Sequence, residues 1–215
     1  MDFIRPDWPA KVGALVTTAA MGDMASDLGR GRLRAMLPSE PRWLHQVHGA
    51  TVIDADHTSA VVKADAAVAR KRGTVCAVKI ADCMPVLFAD EAGSVVAAAH
   101  AGWRGLAAGV LEATIEAMRA PSAVSAWLGP AIGPRVYEVG DEVRAAIGGP
   151  EAAFTATRPG HWLLDLYAIA RARLQAKGVQ RIYGGGFCTY TERERYFSYR
   201  RDRGQMRMAA AVWLT

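Results

Sequence analysis

Apolar and polar positions along the chain predict short strands that alternate with a few helices. Apolar runs bounded by turn residues predict strands at residues 12–18, 44–47, 51–53, 74–80, 86–88, 94–99, 181–183, 196–199 and 209–214. Apolar residues recurring about every 3.6 positions predict helices at residues 104–118, 141–147 and 165–177. Because the alternation follows no strict βαβ repeat, we expect an α/β fold with a mixed sheet flanked by helices.

Turn and capping residues set the boundaries of these predicted elements. Gly49 joins residues 44–47 and 51–53 in a hairpin-like bend. Pro85 cannot donate a hydrogen bond to a sheet, so we expect the chain to bend or leave the sheet there. Asp141 and Asp165 are predicted to cap the starts of two helices, and Gly178 to stop the second.

Length and composition indicate one globular domain covering residues 1–215. The chain has 51% hydrophobic and 22% charged residues, which excludes a disordered or collagen-like chain. No run of 18 apolar residues predicts a membrane span, and the N-terminus lacks the pattern of a signal peptide. With only three cysteines, a reducing, cytoplasmic setting is the expectation.

The positive charge of the chain comes mostly from arginine. Lys and Arg number 26 against 21 Asp and Glu, giving a net charge of +5, and 21 of the cations are Arg. Six of these arginines lie among aromatic residues between positions 190 and 207, and the same segment contains three acidic residues. We therefore interpret this segment as a solvated edge strand rather than a nucleic-acid surface. The expected partner is a small-molecule substrate, with no nucleic acid or membrane, and the expected state is a monomer or weak homodimer.

Three residues with metal-binding side chains each end a predicted strand beside a bend. They are His48, Cys83 and His100. Strand ends meet at one edge of a sheet, and a His-His-Cys set with an open fourth position is typical of a catalytic zinc. The alternative is three unrelated residues: a buried thiol, a surface imidazole and a capping imidazole. Spacing alone leaves both interpretations open.

The other histidines and cysteines carry weaker signals. In a strand His45 and His48 would face opposite sides, so we expect only His48 to enter a shared site. Cys76 lies within an apolar run and is predicted to be a small buried hydrophobe. Cys188 precedes the arginine-rich segment and fits either a core thiol or a pocket residue.

A possible anion site follows His100. The residues Gly102-Trp103-Arg104-Gly105 lead into a predicted helix, so backbone N–H groups and the Arg104 guanidinium would point toward the metal ligands. The alternative is that Arg104 pairs with a nearby carboxylate. Residues 129–134 (GPAIGP) form a rigid loop that either walls a pocket or simply connects two elements.

These segments resemble the YfiH-like family. The similarity lies in residues 45–49 (HQVHG), 81–88 (ADCMPVLF), 100–105 (HAGWRG), 129–143 (GPAIGPRVYEVGDEV), 188–191 (CTYT) and 197–202 (FSYRRD). Members have been called polyphenol oxidases or laccases, purine nucleoside phosphorylases with adenosine deaminase activity, and peptidoglycan-editing factors. The resemblance implies a single-domain mixed-sheet sandwich of the YfiH-like fold and a metal held by His48, Cys83 and His100.

The chain departs from the family pattern at three places. Family members often have an arginine and a glycine pair after the early Thr-Thr, where this chain has residues 19–22 (AAMG). The usual threonine before Ala-Asp-Cys is Ile80, and of the familiar Thr-Gly-Arg near the end only Arg207 is kept. The first difference puts an anion contact from the N-terminal loop in question.

The function we expect is that of a zinc-dependent enzyme of purine nucleosides. It would cleave adenosine, inosine or methylthioadenosine with phosphate, and would also deaminate adenosine with a water activated by zinc. Cys83, Asp82 and Arg104 are the candidate catalytic residues, with Asp82 as a proton carrier or as a hydrogen-bond acceptor that fixes a strand end. Arg104 and Arg207 are the candidate substrate-binding residues.

Two other functions are weighed against this one. A copper-dependent polyphenol oxidoreductase would use His48, Cys83 and His100 with Met84 as axial ligand, but adjacent strand residues such as Cys83 and Met84 point apart. Five histidines without a His-x-His pair also fit a multicopper laccase poorly. An editing role in handling peptidoglycan precursors would use the same anion sites, and the sequence does not separate it from the nucleoside enzyme.

Overall fold

The computed structural model describes residues 2–215 and contains thirteen strands and six α-helices in this range. The strands are β1 (Phe3–Ile4), β2 (Gly13–Thr17), β3 (Val52–Asp54), β4 (Ala66–Ala69), β5 (Cys76–Ile80), β6 (Met84–Asp90), β7 (Val96–Ala101), β8 (Val124–Leu128), β9 (Glu138–Gly140), β10 (Phe154–Arg158), β11 (His161–Leu164), β12 (Arg181–Gly184) and β13 (Met208–Trp213). The helices are α1 (Asp27–Arg34), α2 (Trp103–Ala107), α3 (Val110–Met118), α4 (Asp141–Ile147), α5 (Leu166–Ala176) and α6 (Tyr199–Asp202). None of them is long and apolar enough to cross a membrane.

The strands form three sheets, and this confirms the mixed α/β class. The largest sheet has the order β12-β8-β6-β7-β4-β3 and is parallel only at its two edge pairs. A four-stranded antiparallel sheet has the order β1-β2-β13-β5, and a three-stranded sheet has the order β10-β11-β9. β6 and β7 are fully buried because they lie at the centre of a covered sheet, which explains their near-continuous apolar sequence.

The two larger sheets pack face to face, with helices on their outer faces. Leu87 and Trp127 of the large sheet share one apolar cluster with Val78 and Val212 of the four-stranded sheet. The other face of the large sheet packs against apolar side chains of α3 and α5. The outer face of the four-stranded sheet packs against Leu33 of α1. The molecule is therefore a sandwich with flanking helices.

Most predicted elements agree with the structure to within two residues, but residues 44–47 do not form a strand. This segment makes only an isolated bridge between His45 and Lys63, and β3 pairs in parallel with β4, so there is no hairpin at Gly49. The physical reason is that the backbone N–H groups of residues 47–49 donate to the carboxylate of Asp65. They are unavailable to a neighbouring strand.

The predicted helix at residues 104–118 is broken in two. α2 ends at Ala107 and α3 begins at Val110, with Gly109 between them in the left-handed region at a φ of 86°. The apolar period continues through the break because Leu106, Val110 and Leu111 all remain buried. Periodicity alone therefore did not reveal the interruption.

The predicted edge strand at residues 196–199 is also wrong. Tyr196 is fully buried in the cluster between the two sheets, and Ser198 begins the short helix α6 by accepting a hydrogen bond from the N–H of Arg201. Hydrogen bonds from the Arg201 guanidinium to the carbonyls of Thr189, Tyr190 and Tyr196 fold this segment on itself. The arginine-rich segment is thus a helical turn with loops.

Pro85 lies inside β6 rather than at a bend. It pairs with His100 of β7, and its carbonyl accepts a hydrogen bond from the N–H of Gly129. Any residue other than proline at position 85 would donate its N–H to the carbonyl of Gly129. Here that carbonyl accepts a hydrogen bond from the hydroxyl of Tyr167 instead. The sheet therefore accommodates a residue without an N–H.

The predicted helix caps have mixed outcomes. Asp165 caps α5, as predicted, by accepting a hydrogen bond from the N–H of Ala168. Asp141 is the first residue of α4 and does not cap it, because the N-cap is Gly140 and the Asp141 carboxylate accepts from Trp162.

Candidate metal centre and substrate pocket

His48, Cys83 and His100 come together in the structure. Their ligand atoms all lie within 4.8 Å of one another, and the two imidazole rings meet edge to face with centroids 4.9 Å apart. Their positions differ in detail from the prediction. Only His100 belongs to a strand (β7), whereas Cys83 lies in the turn between β5 and β6 and His48 lies in an irregular loop.

The electrostatics of the cluster favour a thiolate at Cys83. Burial alone would raise the pKa of Cys83, but the positive charge of His100 and hydrogen bonds to His100 and His48 lower it to about 6. Burial alone would lower the pKa of His100, but the thiolate of Cys83 and the carboxylate of Asp65 raise it to about 9. The thiolate is the form that binds metal ions.

Asp65 organises the cluster, and the sequence analysis missed it. This fully buried carboxylate accepts hydrogen bonds from the backbone N–H groups of Val47, His48 and Gly49 and from Nδ1 of His100 at 2.8 Å. One side chain therefore fixes both the loop that carries His48 and the ring of His100. A carboxylate directly before the apolar run of β4 was the available signal.

The donor set fits a soft or borderline metal ion. The bond from Nδ1 of His100 to Asp65 leaves Nε2 free for a ligand, as carboxylate–histidine–metal arrangements require. One thiolate and two imidazoles with an open position suit zinc, and the same set also suits copper. The backbone is fitted closely around the sulfur, because an added Cβ at Gly102 would lie 2.6 Å from Sγ of Cys83.

The cluster opens into a pocket of about 1100 Å³. Its lining residues are Ala25, Leu44, His45, Gln46, His48, Val61, Lys79, Ala81, Asp82, Cys83, His100, Gly102, Trp103, Arg104, Ile132, Tyr137, Leu166, Tyr199, Arg200, Arg203, Gln205 and Arg207. Five of them are Lys or Arg and one is a carboxylate. This excess of positive charge favours an anionic ligand.

Arg104 and Arg207 both line this pocket. The exposed Arg104 lies over the ring of Trp103, with its guanidinium carbon 4.3 Å from the centroid, and forms no ion pair with any residue in 2–215. The alternative in which Arg104 pairs with a nearby carboxylate is therefore not what this part of the chain shows. Arg207 donates from Nη1 to the carbonyls of Gly204 and Met206 in its own loop.

Asp82 lies in the pocket wall beside Cys83, at a positive φ of 81°. Its Oδ1 accepts from the hydroxyl of Thr189 and its Oδ2 from the N–H of Arg200, both at 2.6 Å. Asp82 therefore joins the turn between β5 and β6 to the segments that carry Thr189 and Arg200. In this respect it acts as a hydrogen-bond acceptor that fixes a strand end.

The remaining candidates lie outside the cluster. His45 is exposed in the pocket wall. Cys76 is completely buried, as predicted, and burial raises the pKa of its thiol far above the usual range. Cys188 does not line the pocket; its sulfur accepts a hydrogen bond from the N–H of Gly133, so it supports the loop at residues 129–134. Ile132 of that loop does line the pocket.

This fold is that of a known family. A family described as multi-copper polyphenol oxidoreductase laccase matches residues 18–215, and the chain belongs to it. Purine nucleoside phosphorylase PA4543 of Pseudomonas aeruginosa is 45% identical, covering 99% of this chain and 98% of the relative. Purine nucleoside phosphorylase YfiH of Escherichia coli is 53% identical over 83% of this chain and 75% of the relative. The predicted resemblance is confirmed.

Solved structures agree with this assignment. Neisseria meningitidis protein NMB0706 is 41% identical with a TM-score of 0.90, and the match covers 100% of this chain and 99% of that one. YlmD from Geobacillus stearothermophilus is 31% identical with a TM-score of 0.86, covering 100% and 96%. The fold described above is therefore the fold of this family.

Proposed function

We propose that the chain is a zinc-dependent purine nucleoside phosphorylase that also deaminates adenosine. The observation that carries the proposal is the pocket in which the His48–Cys83–His100 cluster lies beside cations that form no ion pair with any carboxylate in residues 2–215. Relatives named purine nucleoside phosphorylase at 45% and 53% identity support the reaction class. Adenosine, inosine and methylthioadenosine are the proposed nucleosides.

The charged residues Arg104, Asp65 and Asp82 have separate proposed tasks. When bound, zinc would supply Lewis acidity and a water that ionises near neutral pH. Arg104 holds phosphate for attack on C1′ of the ribose, so that the bond from C1′ to the base breaks and ribose 1-phosphate forms. Asp65 keeps the ring of His100 in one tautomer and orientation. Asp82 is the proposed carrier of a proton, and Thr189 and Arg200 hold its carboxylate in place.

Product analysis tests the two reactions separately. Purified protein is incubated with adenosine, with and without phosphate. Adenine and ribose 1-phosphate are expected only when phosphate is present, and inosine is expected in both samples; hypoxanthine follows from inosine and phosphate. If no base is released in the presence of phosphate, the phosphorylase proposal is wrong.

Arg104→Ala is expected to weaken phosphate-dependent cleavage more than deamination, because only cleavage requires a bound anion. The loss of one charged hydrogen-bonding group corresponds to about a ten- to hundredfold rise in the KM for phosphate. Steady-state kinetics of both reactions measure this. Arg135→Ala is the matched control, since Arg135 is exposed and does not line the pocket. Equal losses in both reactions would show that Arg104 only supports the structure.

Metal analysis distinguishes the proposal from its copper alternative. The family description favours a copper oxidoreductase. However, residues 2–215 contain no second group of three metal-binding side chains, and Met84 is fully buried and does not line the pocket. Protein purified without added copper should therefore contain about one zinc per chain. Stoichiometric copper with an intense blue absorption would instead establish copper chemistry.

A further inference from the structure

Lys79 and Arg207 lie near each other at one end of the four-stranded sheet. Lys79 of β5 pairs directly with Ala209 of β13, and Arg207 precedes Ala209 by two residues. Arg207 lies directly before β13, which begins with Met208 opposite Ile80, so Arg207 is close to the end of β5 that carries Lys79. Both line the pocket.

The side chain of Lys79 has no counter-ion. Its backbone is fixed by Gln46, which accepts from the Lys79 N–H at 2.8 Å and donates to the Lys79 carbonyl at 2.7 Å. Within residues 2–215 its ammonium group makes no ion pair or hydrogen bond, although every other residue of β5 is buried. The backbone of this half-buried residue is therefore fixed by the sheet and by Gln46, and the residue lines the pocket.

The charged groups around Lys79 are mostly positive. Burial lowers the pKa of Lys79, and the charges of Arg30 and Arg207 lower it further, while Asp23 opposes them. Arg30 already pairs with Asp27 at 2.8 Å. Asp23 accepts hydrogen bonds from the backbone N–H groups of Ala25 and Arg207 and forms no ion pair with Lys79. Like charges at such positions repel unless an anion lies between them.

This pair is separate from Arg104. Lys79 belongs to the four-stranded sheet and Arg207 directly precedes its strand β13, whereas Arg104 lies in α2, directly after the large sheet. Cys83 follows Lys79 by only four positions, so their Cα atoms lie within about 14 Å of each other even along a fully extended chain. A ligand of nucleoside size at the metal cluster is therefore close to Lys79.

We propose that Lys79 and Arg207 form a second anion subsite of the pocket, which binds a phosphate group. A lysine supplies a point charge and an arginine a planar pair of donors, a combination suited to phosphate oxygens. The phosphate is either inorganic phosphate or the 5′-phosphate of a nucleotide. The subsite belongs to the same pocket as the proposed function, but it is tested by binding and does not depend on turnover.

Calorimetric titration of the purified holoprotein tests the subsite with adenosine 5′-monophosphate, adenosine and inorganic phosphate. For inorganic phosphate, every protein that is compared also carries Arg104→Ala, so that Arg104 does not contribute to phosphate binding. Lys79→Met is expected to weaken binding of at least one phosphate ligand by about tenfold or more, the usual effect of losing a charged hydrogen bond. Adenosine binding should not change. Lys79→Arg keeps the charge and should retain the affinity.

Lys71→Met is the matched control, because Lys71 is exposed and does not line the pocket. Weakening confined to adenosine 5′-monophosphate assigns the subsite to the phosphate of a nucleotide, and weakening confined to inorganic phosphate assigns it to a free phosphate. If Lys79→Met binds both ligands as Lys71→Met does, or if neither ligand binds the starting protein, the subsite proposal is wrong. Failure of the proposed function would instead appear as intact binding without cleavage of adenosine.

Discussion

Cys83→Ser is expected to abolish tight metal binding, whereas Cys76→Ser should leave one metal per chain. A metal ion bound to sulfur keeps the thiol deprotonated, and the low pKa of Cys83 near His100 and His48 already prepares it as a thiolate. A serine hydroxyl at this position stays protonated near neutral pH and is a much poorer ligand. Cys76 is fully buried in the cluster between the two sheets, so its replacement costs packing only.

Metal content and thiol alkylation followed by peptide mass spectrometry measure these effects. In the holoprotein Cys83 should resist the reagent, and a chelator should expose it. Cys76 should remain unmodified in both states because it is buried with a raised pKa. Mapping each peptide separates Cys83 from the partly exposed Cys188. Free reaction of Cys83 with metal bound, or full metal content in Cys83→Ser, would contradict the proposed site.

Asp65→Asn is expected to weaken metal binding by about ten- to hundredfold, the usual cost of losing a carboxylate behind a metal-binding histidine. Each oxygen of Asp65 accepts two hydrogen bonds. In asparagine an amide NH2 group would replace one of these oxygens. This NH2 group would face two hydrogen-bond donors and could accept from neither. We also expect the free energy of unfolding to fall by about 1–3 kcal/mol, because buried donors lose their acceptor.

A competition assay with a chromophoric chelator measures the affinity, and denaturant unfolding measures the stability. Asp90→Asn is the matched control: Asp90 is also buried and accepts backbone N–H bonds from Ser94 and Val95, but it lies outside the pocket. The control should lose stability and keep the metal affinity. In the metal-free protein, Asp65→Asn should also lower the pKa of His100, as read by NMR. Unchanged metal affinity in Asp65→Asn would show that Asp65 supports only the fold.

The sequence predicted those parts of the fold whose signal is local. Apolar runs placed β2, β5 and β13 within two residues, and the period of 3.6 placed α5 equally well. β4 was missed because its four residues are Ala, Ala, Val and Ala, which carry little strand propensity. Residues 44–47 were assigned to a strand because nothing local shows that a carboxylate far along the chain takes up the neighbouring N–H groups.

The candidate site was predictable where residue type carries the chemistry. His48, Cys83 and His100 stood out as soft ligands beside bends, whereas Asp65 and Lys79 did not. Asp65 acts through contacts with residues 47–49 and 100, which only the folded chain brings to it. Lys79 became a candidate only when the folded chain placed it in the same pocket as Arg207.

The order of strands in the four-stranded sheet bears on when the protein can fold during its synthesis. β13 lies between β2 and β5 and pairs Ala210 with both Val16 and Val78. A nascent chain that has emerged from the ribosome only as far as α5 holds all three proposed metal ligands, yet β2 and β5 lack the strand that joins them. Such long-range pairing forms slowly and leaves strand edges exposed in the meantime. We therefore expect the wall of the pocket that carries Lys79 to close only after translation has passed Trp213.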